Sequence, residues 1–304
     1  MSFIEKAIDL AKTARRQEED GPRKSLDQLL EQQETVAVMP TSSRREIKEI
    51  HYTITKTIPV SYDTLTRNRL LGGELDPVVV QGYKLLRTNV LQKTMPHNHN
   101  VLMVTSPLPN EGKTLTAINL AISIAQELTQ TVLLVDLDLR FPCIPSYFGF
   151  QSKQGLTDYL HGQASIPELL VHPEGIDGLV ILPAGQPTDK AAELLRSPRM
   201  HDLVVELKHF YQDRYIIFDL PPMLSYADAL TFAPQVDGII VVSAARQTSK
   251  ENLRRCQEML KNYPILGYVF NKADESLDSG NYRYAERYEV PPPQSWFKRL
   301  FARS

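Results

Sequence analysis

Six short runs of β-branched and other apolar residues, separated by stretches of helical periodicity, dominate the chain after residue 100. Each run is almost continuously hydrophobic, which is typical of parallel strands that are covered on both faces. The alternation predicts a doubly wound α/β domain, with a mainly parallel sheet between two helical layers. The predicted strands are Val101 to Thr105, Val132 to Val135, Leu179 to Leu182, Tyr215 to Phe218, Gly238 to Val242 and Ile265 to Phe270; the predicted helices are Lys113 to Leu128, Ala191 to Arg196, Pro198 to Tyr211 and Lys250 to Asn262.

The flanking segments follow other patterns. Residues 3–16 have the periodicity of a short amphipathic helix, and residues 17–74 are mostly charged and polar, although a short strand is compatible with Tyr52 to Ile58. A second helical pattern, Val78 to Val90, leads into the compact part. We therefore divide the chain into a helix with a mostly flexible tether (1–75), a compact domain (76–275) and a flexible tail (276–304).

The composition excludes several classes of protein. The 34 Lys and Arg residues nearly balance the 36 Asp and Glu residues, so no overall field attracts nucleic acid or an acidic membrane. The only cysteines, Cys143 and Cys256, are far apart, which fits packing residues in a reduced cytosolic protein. No apolar run approaches the ~18 residues of a membrane-spanning helix. We expect a cytoplasmic protein that reaches a membrane only through a partner or a local surface patch.

A candidate phosphate-binding loop directly follows the first predicted strand and opens a helix. In such loops, backbone N–H groups surround phosphate oxygens, a lysine reaches the β- and γ-phosphates, and a hydroxyl ligates Mg²⁺. Pro107 stands where the usual pattern has its first glycine, so a plain Gly-Lys-Thr turn that caps a core helix is the alternative. The candidate nucleotide-binding residues in the loop are Ser106, Pro109, Asn110, Glu111, Gly112, Lys113 and Thr114.

Acidic residues follow two further strands. Asp136 and Asp138 come after the second predicted strand, and Asp219 after the fourth. Because the carboxyl ends of parallel strands meet at one edge of a sheet, these acids are expected beside the phosphate loop, where they can hold Mg²⁺ and its waters. A single such Asp is often only a helix cap, but three on two strands favour a site. The candidate metal ligands are Thr114, Asp138 and Asp219.

The three motifs occur in the order Ser-x-x-Pro-x-Glu-Gly-Lys-Thr, Asp-x-Asp-x-Arg and Asp-x-Pro-Pro. They resemble the nucleotide-site motifs of the bacterial tyrosine kinases, the CpsD/CapB-like cytoplasmic autokinases of exopolysaccharide and capsule synthesis. The likeness covers roughly Asp76 to Lys272, plus a tyrosine-bearing tail. The related partition and cell-division ATPases typically carry a signature lysine near the start of the loop, where this chain has Leu108. The resemblance implies a P-loop NTPase fold that uses ATP and Mg²⁺.

Phosphate-loop chemistry gives Lys113 its role, and the resemblance implies roles for the three acids. Lys113 would bind the transferred phosphate, and Asp136 would orient or deprotonate the acceptor hydroxyl. Asp138 and Asp219 would act through the metal or its waters. A tyrosine hydroxyl, with a reference pKa of ~10, is protonated at neutral pH, which gives a neighbouring carboxylate a function. Arg140 either steadies phosphate charge or pairs with an acid.

Tyr282, Tyr284 and Tyr288 place three of the 13 tyrosines within a short stretch of the tail. By themselves they would also fit an aromatic surface strand. By the resemblance they are the autophosphorylation sites, modified between subunits of a ring.

The ring contact of the family resembles Glu-x-x-Arg-x-x-Arg-Thr-Asn. Here the corresponding segment runs from Gln81 to Asn89, with Arg87, Thr88 and Asn89 matching and Gln81 and Lys84 differing. The alternative is an amphipathic helix that packs on its own domain.

Asn271-Lys272-Ala273-Asp274 literally matches the N-K-x-D sequence with which GTPases read guanine. Related ATPases also place an asparagine after this strand near the base, so we expect ATP and assign Asn271 to the nucleotide site. The basic aromatic end, Trp296 to Arg303, could contact lipid or a partner, or be simply solvated.

The sequence thus predicts a Mg-ATP-dependent protein-tyrosine autokinase of exopolysaccharide production. Its expected partner is a membrane-bound chain-length or co-polymerase protein whose cytoplasmic segment activates it, and no nucleic acid is expected. The alternatives are a partition-type ATPase switch and a nucleotide-binding scaffold of the polysaccharide machinery.

Overall fold

A sheet of eight strands organises the part of the chain that the structure, a computed structural model, describes: residues 55–127, 130–210 and 214–273. The strands are β1 (Lys56–Ile58), β2 (Val101–Thr105), β3 (Thr131–Asp136), β4 (Val171–Pro173), β5 (Leu179–Leu182), β6 (Arg214–Asp219), β7 (Gly238–Ala244) and β8 (Ile265–Asn271). The helices are α1 (Tyr62–Arg67), α2 (Pro77–Thr94), α3 (Lys113–Ala125), α4 (Ile144–Tyr147), α5 (Leu156–Leu160), α6 (Ile166–Leu169), α7 (Ala191–Leu195), α8 (Pro198–Phe210), α9 (Asp228–Phe232) and α10 (Lys250–Met259).

The strand order across the sheet is β1-β4-β5-β3-β6-β2-β7-β8. Neighbouring strands are parallel except for β4 and β5. The prediction of a mainly parallel, doubly wound α/β fold is therefore confirmed. In the centre of the sheet, β6 lies between β3 and β2, and Asp136 pairs in register with Asp219. This pairing brings two of the predicted acids to the same edge.

The sheet separates two apolar cores. Successive residues of a strand point to opposite faces, so Val101 and Met103 pack in one core while Leu102 and Val104 pack in the other. Residues of α1, α2 and α3 line one core, and residues of α7 to α10 line the other. Because both faces of the sheet are covered, its strands read as continuous apolar runs rather than as alternating ones.

The structure differs from the prediction between residues 56 and 75. The short strand β1, compatible with the sequence pattern, pairs with β4, and α1 follows it. Leu70 and Leu71 are buried in the core beside α3, and Leu71 N–H donates to Asn119 Oδ1 at 2.8 Å. These few leucines stand among polar residues and give no periodic signal, so the sequence pattern assigned them to the tether. The predicted N-terminal helix and the tail from residue 276 lie outside the described residues.

The strand β4 and the short helices α4, α5, α6 and α9 were not predicted, because elements of three to five residues rarely show a clear period. Within the described ranges, no helix combines the length and the apolar character needed to cross a bilayer.

Candidate active site

The loop between β2 and α3 turns sharply at two residues with left-handed backbone conformation, Asn110 (φ 62°) and Gly112 (φ 93°). A Cβ atom at position 112 would lie 2.1 Å from Asn271 Nδ2, so glycine is required there for space as well as for its φ angle. Helix α3 begins directly afterwards at Lys113. The strand, loop and helix that a phosphate-binding loop needs are therefore present in that order.

The carbonyl oxygens of this loop are all engaged in hydrogen bonds. Among the described residues, by contrast, no acceptor pairs with the backbone N–H groups of Asn110, Glu111 and Gly112. A loop with engaged acceptors and free donors fits the oxygens of a polyphosphate. The donors to the carbonyls are Met223 N for Ser106, Leu224 N for Pro107, Ser106 Oγ for Leu108, Gln247 Nε2 for Pro109, Lys272 Nζ for Asn110, Asn271 Nδ2 for Glu111 and Thr116 N for Gly112.

Lys113 lies between two of the predicted acids. Its Nζ is 2.9 Å from Asp138 Oδ2 and 3.5 Å from Asp219 Oδ2.

Burial alone lowers the pKa of Lys113, but the charges of Asp219 and Asp138 outweigh that effect and raise the pKa above its ordinary value. The side chain is thus a buried cation at the start of α3. Thr114 Oγ1 donates to Asp219 Oδ2 at 2.6 Å, which links the loop to the end of β6.

Asp136 is completely buried at the end of β3. Its Oδ2 accepts hydrogen bonds of 2.9 Å from the backbone N–H groups of Cys143 and Ile144. Its Oδ1 has no hydrogen-bond partner among the described residues, and neither has Asp219 Oδ1. Burial, and then the charge of Asp219, raise the pKa of Asp136 to about 7. Two buried carboxylate oxygens of the site are therefore left without a hydrogen-bond partner among the described residues.

The donor set around Thr114 fits Mg²⁺. Magnesium at phosphate sites prefers one or two carboxylates together with hydroxyl, phosphate and water oxygens, rather than an all-protein cage. Thr114, Asp138 and Asp219 offer one hydroxyl and two carboxylates within hydrogen-bonding distance of one another or of Lys113. Within the described part of the chain, no group of three or more His, Cys, Asp or Glu side chains is placed to hold a metal ion by itself.

Arg140 pairs with an acid outside the phosphate loop. Its guanidinium group makes two hydrogen bonds to the carboxylate of Asp228, of 2.7 and 3.1 Å, and it lies over the ring of Tyr226. Asp228 stands at the start of α9 and is buried. Of the two alternatives that the sequence left open for Arg140, the structure contains the pairing with an acid.

Four contacts in the site were not predicted from the sequence. Gln247 and Lys272 reach the loop from the ends of β7 and β8, and Thr248 Oγ1 hydrogen-bonds the Glu111 carboxylate. Cys143, predicted to be a packing residue, has its Sγ 3.7 Å from Thr114 Oγ1. Asn271, assigned to the nucleotide site, contacts the loop through Glu111 O at 2.9 Å. Such contacts join residues distant in sequence and leave no local pattern.

The predicted acceptors Tyr282, Tyr284 and Tyr288 lie outside the described residues. In the segment compared with the ring contact, Arg87 bonds within its own domain, to Ser123 O at 3.0 Å and Glu127 at 2.8 Å. Gln81, Lys84 and the matching Thr88 and Asn89 are exposed on α2.

Comparison with known sequences agrees with this geometry. The family model of ParA, described as "NUBPL iron-transfer P-loop NTPase", matches residues 97–282, which is more than half of the chain. The chain is 33% identical over 209 residues to the tyrosine-protein kinase YwqD of Bacillus subtilis (strain 168), covering 68% of this chain and 86% of that protein. It is 32% identical over 213 residues to the putative tyrosine-protein kinase EpsB of Ralstonia solanacearum, covering 69% of this chain but only 27% of that longer relative.

Among solved structures, the chain is similar to the kinase domain of VpsO. The two share 33% sequence identity with a TM-score of 0.58, over 65% of this chain and 97% of that domain. The kinase domain of the Escherichia coli tyrosine kinase ETK gives a TM-score of 0.59 at 27% identity, over 72% of this chain and 91% of that one. The P-loop site, the doubly wound sheet and these relatives agree: the chain belongs to the ParA-related P-loop NTPases and, among them, to the bacterial tyrosine-protein kinases.

Proposed function

We propose that this chain transfers the γ-phosphoryl group of ATP, with Mg²⁺, to Tyr282, Tyr284 and Tyr288 of a second copy of itself. The observation that carries the proposal is the convergence of Lys113, Thr114 and three carboxylates at the ends of β2, β3 and β6. Membership of the tyrosine-protein kinases supports a tyrosine hydroxyl as the phosphate acceptor. The P-loop NTPase fold supports a nucleotide as the phosphate donor.

The residues of the site divide the work of phosphoryl transfer, which needs mainly positioning and charge neutralisation. The free N–H groups of the loop and the Lys113 ammonium bind and orient the phosphates. Asp136 Oδ1, which is buried and unpartnered, accepts the proton of the acceptor tyrosine. The tyrosine oxygen forms a bond to the γ-phosphorus, and the bond from that phosphorus to the bridging oxygen of ADP breaks.

Magnesium, when bound, neutralises phosphate charge. Thr114, Asp138 and Asp219 would hold it, directly or through water.

The proposed setting is the regulation of exopolysaccharide or capsule synthesis and export, with the kinase in the cytoplasm at the inner face of the membrane. The resemblance supports a membrane-bound chain-length or co-polymerase protein as the activator, and a ring of identical subunits as the active assembly. On α2, Gln81, Lys84 and Leu85 are exposed and therefore accessible to a neighbouring copy. Tyr83, Leu86 and Arg87 of the same segment contact their own domain instead.

The test is incubation of the purified chain with Mg-ATP, alone and with the cytoplasmic segment of a candidate membrane activator. Mass spectrometry of the peptides that span Ser279 to Arg299 should find phosphotyrosine. The Lys113→Met variant should show none. Turnover of ATP without any modified tyrosine, with the activator present, would favour the positioning ATPase that the ParA relationship offers as the second candidate.

Transfer between subunits has a separate test. A variant with Tyr282, Tyr284 and Tyr288 changed to Phe keeps the nucleotide site but lacks the acceptor hydroxyls. The Lys113→Met variant keeps the acceptor tyrosines but lacks a working nucleotide site. Mixing the two should place phosphate on the tail of the Lys113→Met chain. If only the unmixed parent becomes phosphorylated, transfer occurs within one chain.

A further inference from the structure

Three side chains from outside the phosphate loop bind three of its consecutive carbonyl groups. Gln247 Nε2 donates to Pro109 O at 2.7 Å, Lys272 Nζ to Asn110 O at 2.6 Å and Asn271 Nδ2 to Glu111 O at 2.9 Å. We call Gln247, Asn271 and Lys272 the loop clasp. Lys272 Nζ also lies 3.3 Å from Gln247 Oε1, so two members of the clasp support each other.

The backbone around the clasp adopts an unfavourable conformation at several points. The described residues contain five non-glycine residues with positive φ, and three of them, Asn110, Arg246 and Lys272, lie in the loop or the clasp segments. Left-handed backbone is unfavourable for such residues and persists only where the surroundings impose it. Three such residues lie close together here. The contacts between the loop and the ends of β7 and β8 therefore impose the conformation of this part of the backbone.

Backbone hydrogen bonds also hold the segments that carry the clasp residues together. Ala245 N–H donates to Asn271 O at 2.8 Å, which ties the end of β7 to the end of β8. Thr248 Oγ1 accepts a hydrogen bond of 2.8 Å from Ala244 N–H and donates one to the Glu111 carboxylate. Asn271 thus lies on β8 itself, and Gln247 and Lys272 lie within three residues of the ends of β7 and β8.

We propose that the loop clasp is a set of positioning residues for the phosphate site, an inference that rests on the proposed function. By binding the carbonyls of residues 109–111, the clasp keeps those oxygens turned out of the cradle and leaves the adjoining N–H groups free for phosphate. Without it, a peptide plane can rotate and present a carbonyl oxygen to a phosphate oxygen, which is repulsive. The role gives a function to Asn271-Lys272 that does not involve reading a nucleotide base.

The structure separates this role from a purely structural one. Gln247 and Lys272 are exposed, so their replacement removes no core packing. Lys272→Met keeps the length of the side chain and loses the donor, whereas Lys272→Arg keeps a donor. Lys261→Met is a matched control, because Lys261 is an exposed lysine that pairs with Glu258 and, among the described residues, makes no bond to the loop.

The experiment measures the binding of Mg-ADP and of Mg-pyrophosphate, which has no base, by titration calorimetry. Lys272→Met should weaken both about tenfold, the change expected from a loss of about 1.4 kcal/mol. Lys272→Arg should remain closer to the parent, and Lys261→Met should equal it. Gln247→Leu combined with Lys272→Met should weaken both ligands further. The thermal midpoint of the ligand-free Lys272→Met chain should equal that of the parent.

Each contrary result has a distinct meaning. Unchanged binding in Lys272→Met and in the double variant would overturn the clasp. Weaker binding of ADP with unchanged binding of pyrophosphate would overturn it in favour of a contact with the nucleoside. A thermal midpoint of Lys272→Met low enough to explain the weaker ligand binding would overturn the clasp in favour of a role of Lys272 in folding. If the parent itself binds neither ligand, the proposed function fails and the clasp fails with it.

Discussion

The ammonium group of Lys113 lies 2.9 Å from Asp138 Oδ2, a contact that spans the end of β6 and joins the start of α3 to the loop after β3. Both side chains are almost completely buried. The attraction between a buried cation and a buried carboxylate is strong because the surroundings are less polar than water. Removing either partner would leave the other as an unpaired buried charge. The contact therefore fixes Lys113, the proposed phosphate-binding lysine, relative to the candidate metal ligands.

Replacing Lys113 tests that arrangement. Lys113→Met should reduce the affinity for Mg-ADP about 100-fold, because a buried charge-assisted contact to phosphate is lost and three carboxylates remain without their cation. Titration calorimetry measures the loss. Lys261→Met, at the surface of α10, should bind like the parent. Near-normal affinity in Lys113→Met would contradict the assignment of the loop.

Asp136→Asn tests the proton acceptor. The amide can still accept the N–H groups of Cys143 and Ile144, but it cannot take a proton from tyrosine. We expect autophosphorylation to fall by about 100-fold or more, the usual range for removing a general base, while Mg-ADP affinity changes little. Quantitative mass spectrometry of the tail and calorimetry together separate the two effects. Equal loss of binding and transfer would instead assign Asp136 to nucleotide binding.

The acceptor assignment has a direct test in the tail. Changing Tyr282, Tyr284 and Tyr288 together to Phe should abolish autophosphorylation and leave Mg-ADP binding intact, because only the acceptor hydroxyls are removed. Tyr268→Phe is the control, since Tyr268 is an exposed tyrosine on β8 that no site contact involves. Phosphorylation of the triple variant as strong as that of the parent would show that the acceptors lie elsewhere.

The pairing of Arg140 with Asp228 predicts an effect on stability. Arg140→Ala leaves a buried carboxylate without its cation and should lower the free energy of unfolding by about 3 kcal/mol. Arg140→Lys should lose less than Arg140→Ala but not match the parent, because lysine cannot make the two-pronged contact. Urea denaturation without nucleotide measures both variants.

The control for this prediction is Arg67→Ala, which breaks an exposed ion pair with Asp63 and should have little effect. Unchanged stability of Arg140→Ala, together with loss of phosphotransfer, would favour the alternative in which Arg140 steadies phosphate charge.

The fold and the principal residues of the site could be predicted because their signals are local. A strand covered on both faces must be apolar throughout, and a helix must repeat its apolar residues, so both appear in consecutive residues. Asp136, Asp138 and Asp219 were identifiable because each follows such a strand. The strand order was not predictable, since no local pattern states that β6 lies between β3 and β2.

Contacts between distant segments were equally invisible in the sequence. Arg140 and Asp228 are 88 residues apart, and Lys272 is 162 residues from Asn110. Arg140 was therefore equally compatible with phosphate and with an acid until the position of α9 was known. Residues 56–75 were assigned to the tether because Leu70 and Leu71 are too few to show a period, and only their burial beside α3 reveals that they belong to the folded domain.

The sequence by itself determined the fold class, the phosphate loop, the acids at the strand ends and the kinase family, because each depends on residue types at fixed local spacing. The tertiary structure alone decided which strand ends are neighbours, which oxygens of Asp136 and Asp219 remain free, where Arg140 points, and which side chains hold the loop. These properties depend on distances between segments that only the packing of two helical layers on one sheet brings together.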